Sequence, residues 1–165
     1  MTSVRRWWDE QALPRLVDVA LADATSGTWR TTVCVGATGE VLEIGFGSGR
    51  NLPYYGDTVT RVLAVEPADL AWARAKARVT ASGMPVTRVG LDGSDLPVPD
   101  ASVDTVVSTW TLCTVPEVER ALHEARRVLR PGGQLRFVEH SAAPSRRVAG
   151  IQRRIQPLWG RVAGG

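Results

Sequence analysis

The chain has 165 residues, 44% of them apolar and 22% charged, with a net charge of +3. Those values suit one globular domain of ordinary size. No window resembles a transmembrane span, and the start, Arg5-Arg6-Trp7-Trp8-Asp9-Glu10, has no apolar signal core, so a cytoplasmic protein is expected. Cys34 and Cys113 are too few and too far apart for a disulfide framework or a zinc site, and read as reduced, mostly packed thiols.

In chain order, residues 1–35 read as a helical lead-in. Trp7, Leu13, Leu16, Val17, Ala20 and Leu21 recur at helical spacing, which predicts one amphipathic helix over 11–24, ended by Thr25-Ser26-Gly27. Trp7, Trp8 and Trp29 are expected either as part of a lid or as a cap on the core.

Val41, Leu42 and Ile44 form a short apolar run of the kind that makes a buried first strand. Gly45, Gly47 and Gly49 follow at every second position. Such a turn can take φ > 0 and let a ligand approach its backbone. A helix start after Gly49 would then point free N–H groups at that ligand. Asn51 can hydrogen-bond an amino-acid end of the ligand, and Tyr54 and Tyr55 can shape a pocket or simply pack.

Glu43 bears on which ligand. A dinucleotide-binding turn takes a pyrophosphate and wants G-x-G-x-x-G, whose last glycine would fall on Arg50. A carboxylate before G-x-G-x-G suits instead a cofactor with positive charge and no phosphate at this point. S-adenosylmethionine, with its sulfonium and α-ammonium, meets that description.

A second strand is expected over 61–66. Glu66 ends it, where an acid can accept from both hydroxyls of a ribose, and Pro67 stops its pairing. Residues 68–81 predict a helix ended by Ser82-Gly83, and 85–90 a third strand. Asp92-Gly93 then offers a carboxylate and an N–H to an adenine ring; a solvated turn is the plain alternative. Residues 96–100 form a proline-stiffened crossing, and 103–109 a fourth strand. Residues 110–115 leave its carboxyl end, where open α/β sheets bind ligands. Residues 117–130 make the clearest helix, stopped by Pro131-Gly132-Gly133. A fifth strand covers 134–140, and a last helix 146–158. The late basic residues, Arg146, Arg147, Arg153, Arg154 and Arg161, read as a solvated face, not a nucleic-acid patch. The alternation predicts an α/β, doubly wound, mainly parallel sheet of about five strands.

Several blocks together resemble one family. Val41-Leu42-Glu43-Ile44-Gly45-Phe46-Gly47-Ser48-Gly49, Val65-Glu66-Pro67, residues 95–104 and residues 124–133 stand in the order found in class I S-adenosylmethionine-dependent methyltransferases, especially the small-molecule branch called methyltransferase type 11. The resemblance covers residues 40–140. It implies a Rossmann-like core in which Gly45, Phe46, Gly47, Gly49 and Asn51 hold the cofactor's amino-acid moiety with Glu43 nearby. Glu66 and Pro67 would serve the ribose, Asp92 and Gly93 the adenine, and Thr109 and Trp110 the methionine end. Glu139-His140 and the last residues look like the subset related to thiol and lipophilic-substrate methyltransferases. His140 is the one imidazole placed to act as a base, and a pocket-wall or packed histidine is the plainer alternative.

The resemblance implies methyl transfer to a small-molecule acceptor, leaving S-adenosylhomocysteine. A cofactor-binding module without catalysis is the alternative, and a nicotinamide-dependent oxidoreductase the weaker one. The family's sheet usually adds two antiparallel strands after the fifth, which this sequence stops short of. The fifth strand is then expected as an edge, or covered by residues 146–158 or by another subunit in a homodimer.

Overall fold

The structure, a computed structural model, describes residues 23–140. The predicted helix over 11–24, the last helix over 146–158, and Trp7 and Trp8 lie outside or largely outside that range. The elements run α1 (Asp23–Cys34), β1 (Gly39–Ile44), β2 (Val59–Val65), α2 (Asp69–Ser82), β3 (Val86–Gly90), β4 (Val103–Thr109), α3 (Val118–Val128) and β5 (Leu129–Val138). The strands form one five-stranded sheet in the order β3-β2-β1-β4-β5, and every pairing is parallel.

Strand side chains alternate between the two faces of a sheet, and the packing follows. Val41, Val62, Ala64 and Val107 pack with Val33 and Cys34 of α1 and Ala75 of α2. Leu42, Ile44, Leu63, Val65 and Val106 pack on the other side with Ala125 and Val128 of α3 and with Leu96 and Val98. Both faces are apolar, as a parallel sheet covered on both sides requires. The fold is therefore Rossmann-like and doubly wound. β1 and β4 are neighbours in space while the chain runs outward from them in opposite directions. Ligand crevices of open α/β sheets form at such a point, outside the carboxyl ends of the strands.

Three expectations about the elements need correcting. First, α1 runs straight through Thr25-Ser26-Gly27. A Cβ on Gly27 would lie 3.0 Å from the Tyr54 hydroxyl, so this glycine permits a close approach and does not end a helix. Second, no α-helix starts after Gly49. The link holds one 3-10 turn, Leu52–Tyr54, with Pro53 inside it and Tyr55 already extended. Third, α3 ends at Val128 and β5 begins at Leu129, so Pro131-Gly132-Gly133 lies within a strand. The pairing with β4 is irregular there, and among the described residues β5 is an edge, the place where a sheet tolerates proline. No antiparallel strand occurs among the described residues. Cys34 is buried as expected, but Cys113 is exposed. Trp29 is 59% exposed, so it does not cap the core.

The proline crossing is pinned to α3 by one arginine. Arg127 donates to Glu124 at 2.7 Å, to Asp100 at 2.6 Å, and to the carbonyls of Leu96 and Val98 at 2.9 Å. Glu124 also accepts from the Leu96 N–H at 2.9 Å. The Arg127 hydrogen bond holds Glu124 down at about 2, against an ordinary 4.5. A depressed carboxylate stabilises the fold above its unfolded pKa and loses that effect as pH falls towards the folded one. Arg127→Met is therefore expected to cost about 1 kcal/mol at pH 7, after allowing for solvent screening. In urea unfolding, the gap between wild type and variant should narrow between pH 4.5 and 2; a gap independent of pH would contradict this account.

Candidate cofactor site at the carboxyl ends of the strands

β1 delivers the chain into a bend in which Gly45, Gly47 and Gly49 have φ of +78°, +58° and +75°. All three lie in the left-handed region that other residues enter at a cost. Their surroundings differ. A Cβ on Gly45 would meet Thr111 Oγ1 at 1.9 Å, whereas a Cβ on Gly47 would find nothing nearer than 4.0 Å. The bend is thus packed on one side and open at its apex. The N–H groups of Gly45 and Phe46 donate to the Val65 carbonyl at 2.9 and 3.1 Å, tying the bend to the end of β2. Phe46 turns its ring into the core against Trp72, with centroids 5.6 Å apart, so only its backbone belongs to the bend.

Glu66 stands directly after β2. It is buried, and its two oxygens accept from the N–H groups of Gly47 and Ala68, each at 2.7 Å. Burial raises its pKa, and these two amides oppose the rise. Pro67 follows, exposed, with its carbonyl and that of Glu66 bonded by Arg88. Each Glu66 oxygen has a lone pair left for a hydroxyl donor.

Asp92 is exposed after β3 and accepts from the Ser94 N–H and hydroxyl at 2.8 and 2.7 Å. The Ser94 hydroxyl and amide keep its pKa below the ordinary carboxylate range. Gly93 is buried, and a Cβ there would reach Ile44 Cγ2 at 2.7 Å. This close approach brings the turn alongside the end of β1. Thr109 ends β4. Trp110, at φ +53°, leaves it with its N–H on the Val138 carbonyl at 2.8 Å. His140 is exposed; its ring centroid lies 6.5 Å from that of Trp110 and its Nδ1 lies 3.8 Å from Cys113 Sγ.

Glu43 and Asn51 take up a different position from the one the sequence suggests. Both are buried beneath the bend and not at its open apex. Asn51 donates to Glu43 at 2.8 Å and to Thr109 Oγ1 at 3.1 Å, and its Oδ1 accepts from Arg30 at 2.5 Å. Tyr55 donates to the other Glu43 oxygen at 2.6 Å. Burial pushes Glu43 up to about 7, against the hydrogen bonds of Tyr55 and Asn51 and the charge of Arg30. Arg30, 4% exposed, also bonds Ser26 and lies 4.9 Å from the Trp110 ring centre. Arg30 and Thr111 have no motif signal, and only their tertiary neighbours show their place. A cavity of about 570 Å³ lined by Leu52, Asp57, Arg78 and Met84 opens at the amino end of β2. It does not touch the open apex of the bend, and position at the strand ends weighs more here than size. Among the described residues no cluster of three His, Cys, Asp or Glu side chains can hold a metal, and no helix is long and apolar enough to cross a membrane.

Glu43 carries a pH signature. A carboxyl group whose folded pKa is raised stabilises the fold below its unfolded pKa, and that effect is lost as pH rises to the folded value. The stability difference between wild type and Glu43→Gln should therefore shift against wild type from pH 4.5 to 7, by on the order of 2 kcal/mol. Denaturant titrations at a series of pH values measure it; parallel curves for the two proteins would show that folding does not raise the pKa of Glu43.

Known proteins share this fold. A methyltransferase domain family model matches residues 42–137. Phosphatidylethanolamine N-methyltransferase from Cereibacter sphaeroides is 36% identical over 129 residues, covering 76% of this chain and 63% of that one. Human thiol S-methyltransferase TMT1B is 36% identical over 138 residues, covering 79% and 55%. The crystal structure of the YcgJ protein from Bacillus subtilis superposes with a TM-score of 0.66 at 21% identity, over 83% of this chain and 59% of that one, which supports the fold. The matched region spans just over half to under two thirds of these relatives. With the glycine bend, the acid after β2 and the sheet order in place, the chain belongs to the class I S-adenosylmethionine-dependent methyltransferases.

Proposed function

We propose that the chain transfers a methyl group from S-adenosylmethionine to a small-molecule acceptor by in-line displacement. The observation that carries this reading is the placement of Glu66, whose carboxylate after β2 is joined to the apex of the glycine bend through the Gly47 N–H at 2.7 Å. A ribose acceptor and an open glycine cradle thereby form one surface. The single 3-10 turn after the bend supports the same reading against a dinucleotide, because no long helix presents its N-terminus to a pyrophosphate.

The residues divide the work. Gly45, Gly47 and Gly49 supply the approach to the amino-acid moiety, with the backbone of Phe46 between them. Glu66 receives the ribose hydroxyls, and Pro67 turns the chain away behind it. Asp92 and Gly93 border the adenine; Thr109 and Trp110 border the methionine end. Glu43 and Asn51 hold the bend from below. The cofactor, when bound, brings a methyl group already activated by its sulfonium, so the protein's share is alignment and exclusion of water. His140 stands beside Trp110 at the strand ends, placed to take a proton from an acceptor that needs to lose one.

The acceptor carries a nucleophilic atom and is expected to be lipophilic. The two relatives act, by name, on a phospholipid amine and on thiols, and at the strand ends His140 lies beside both Trp110 and Cys113.

Thermal shift with S-adenosylhomocysteine and with NADH separates the readings. Stabilisation by the first alone is expected; stabilisation by NADH alone would overturn the proposal. Glu66→Ala is expected to weaken S-adenosylhomocysteine about tenfold or more in calorimetry, the loss of charge-assisted hydrogen bonds. Unchanged affinity would reject its ribose role. Binding without methylation of a panel of alkanethiols, phenols and amines would favour the non-catalytic module.

A further inference from the structure

Glu139 follows β5 at its carboxyl end and reaches across to the turn that leaves β4. Its Oε1 accepts from the Thr111 N–H at 2.9 Å, the Leu112 N–H at 2.8 Å and the Ser108 hydroxyl at 3.3 Å. Its Oε2 is buried and accepts from no N–H or O–H; its neighbour is the Cys113 thiol, a weak donor. The two oxygens therefore differ in what they do. One fastens a turn; the other is enclosed, with only a weak thiol donor beside it. A latch needs only one acceptor oxygen, which glutamine supplies without a charge to bury. A buried carboxylate oxygen with so weak a donor is the costlier choice.

The latched turn belongs to the proposed site. Thr111 fills the space over Gly45, where a Cβ would come within 1.9 Å of its hydroxyl. Glu139 is thus two contacts from the glycine bend, through Thr111. Trp110, just before, sits in the left-handed region with Arg30 4.9 Å from its ring centre. The turn lies between Arg30, a buried cation on α1, and Glu139, a half-buried acid after β5. Burial first, then the charge of Glu139 and a hydrogen bond with its side chain, push the Cys113 thiol up to about 11.

We propose that Glu139 is a specificity-determining residue that favours the cationic methyl donor over the neutral product. Its carboxylate, fixed by Oε1 beside the methionine-end wall, attracts a sulfonium and leaves a thioether unattracted. This rests on the cofactor reading above. In a partly desolvated site, charge acts over several ångströms, so direct contact with the sulfonium is not required. The consequence is tighter holding of S-adenosylmethionine and easier release of S-adenosylhomocysteine.

Calorimetry on the full chain tests it with three ligands: S-adenosylmethionine, sinefungin (an amine in place of the sulfonium) and S-adenosylhomocysteine. Glu139→Gln keeps an acceptor for Thr111 and Leu112 and should melt no lower than wild type. It should bind S-adenosylhomocysteine within about twofold and lose about threefold or more for the two cationic ligands. Glu117→Gln removes the same charge from an exposed residue paired with Arg120 and should leave the ratio unchanged. If Glu139→Gln melts early, Glu139→Asp serves as the second variant, because it keeps the charge and should keep the cation preference. Equal loss for all three ligands, or no change for any, would show that Glu139 is only a latch and would overturn this inference alone. Failure of wild type to bind any of them would sink the cofactor reading and this inference with it.

Discussion

Asn51 is almost fully buried, and its one amide joins three separate elements: Arg30 on α1, Glu43 on β1 and Thr109 on β4. A buried amide left unpaired costs on the order of 1–3 kcal/mol, so these partners must be in place together or not at all. That condition positions the rest of the site. It holds α1 against the strand ends, fixes the turn after the glycine bend, and sets where β4 releases Trp110. Tyr55 closes the group by taking the second oxygen of Glu43.

The glycine bend follows from this support. Three residues in the left-handed region do not hold their shape through their own preferences, because glycine is permissive as well as tolerant. The bend is held by contacts on every side except its apex: the Val65 carbonyl, the Thr111 side chain, Leu52 and Ala75. A preorganised backbone meets a ligand without a further ordering cost. The apex at Gly47 is open because everything around it is closed.

Much of this was legible in the residues. The apolar runs of β1, β2 and β4, the alanine-rich α2 and the amphipathic α3 are local patterns, and each formed the element its pattern suggests. The carboxylate after β2 was legible as well, since strand ends are readable once the strands are. What local pattern misses is contact between distant segments. Gly27 looks like a helix stop, yet Tyr54 is what requires it. Pro131-Gly132-Gly133 looks like a break, yet β4 offers a strand to pair with. Arg30, an unremarkable residue in a polar helix, is the buried cation of the site. The enclosed oxygen of Glu139 has no signature in sequence at all.

The same distinction governs charge. In sequence, Glu43 looks like the negative group that selects a cationic cofactor. In the structure its carboxyl is dehydrated, burial pushes its pKa up to about 7, and it faces Arg30 through Asn51. Its field at the open apex is weak for both reasons. Glu66 and Glu139, after β2 and β5, are the carboxylates left nearest the bend and its covering turn; both accept from backbone amides, and Glu66 also feels the charge of Arg88. A carboxylate solvated by amides keeps its charge available to a ligand, whereas one matched by a cation largely spends it. The electrostatic character of the site is therefore set by which acids have amide partners and which have an arginine within reach, and a count of acidic letters near the glycines does not contain that information.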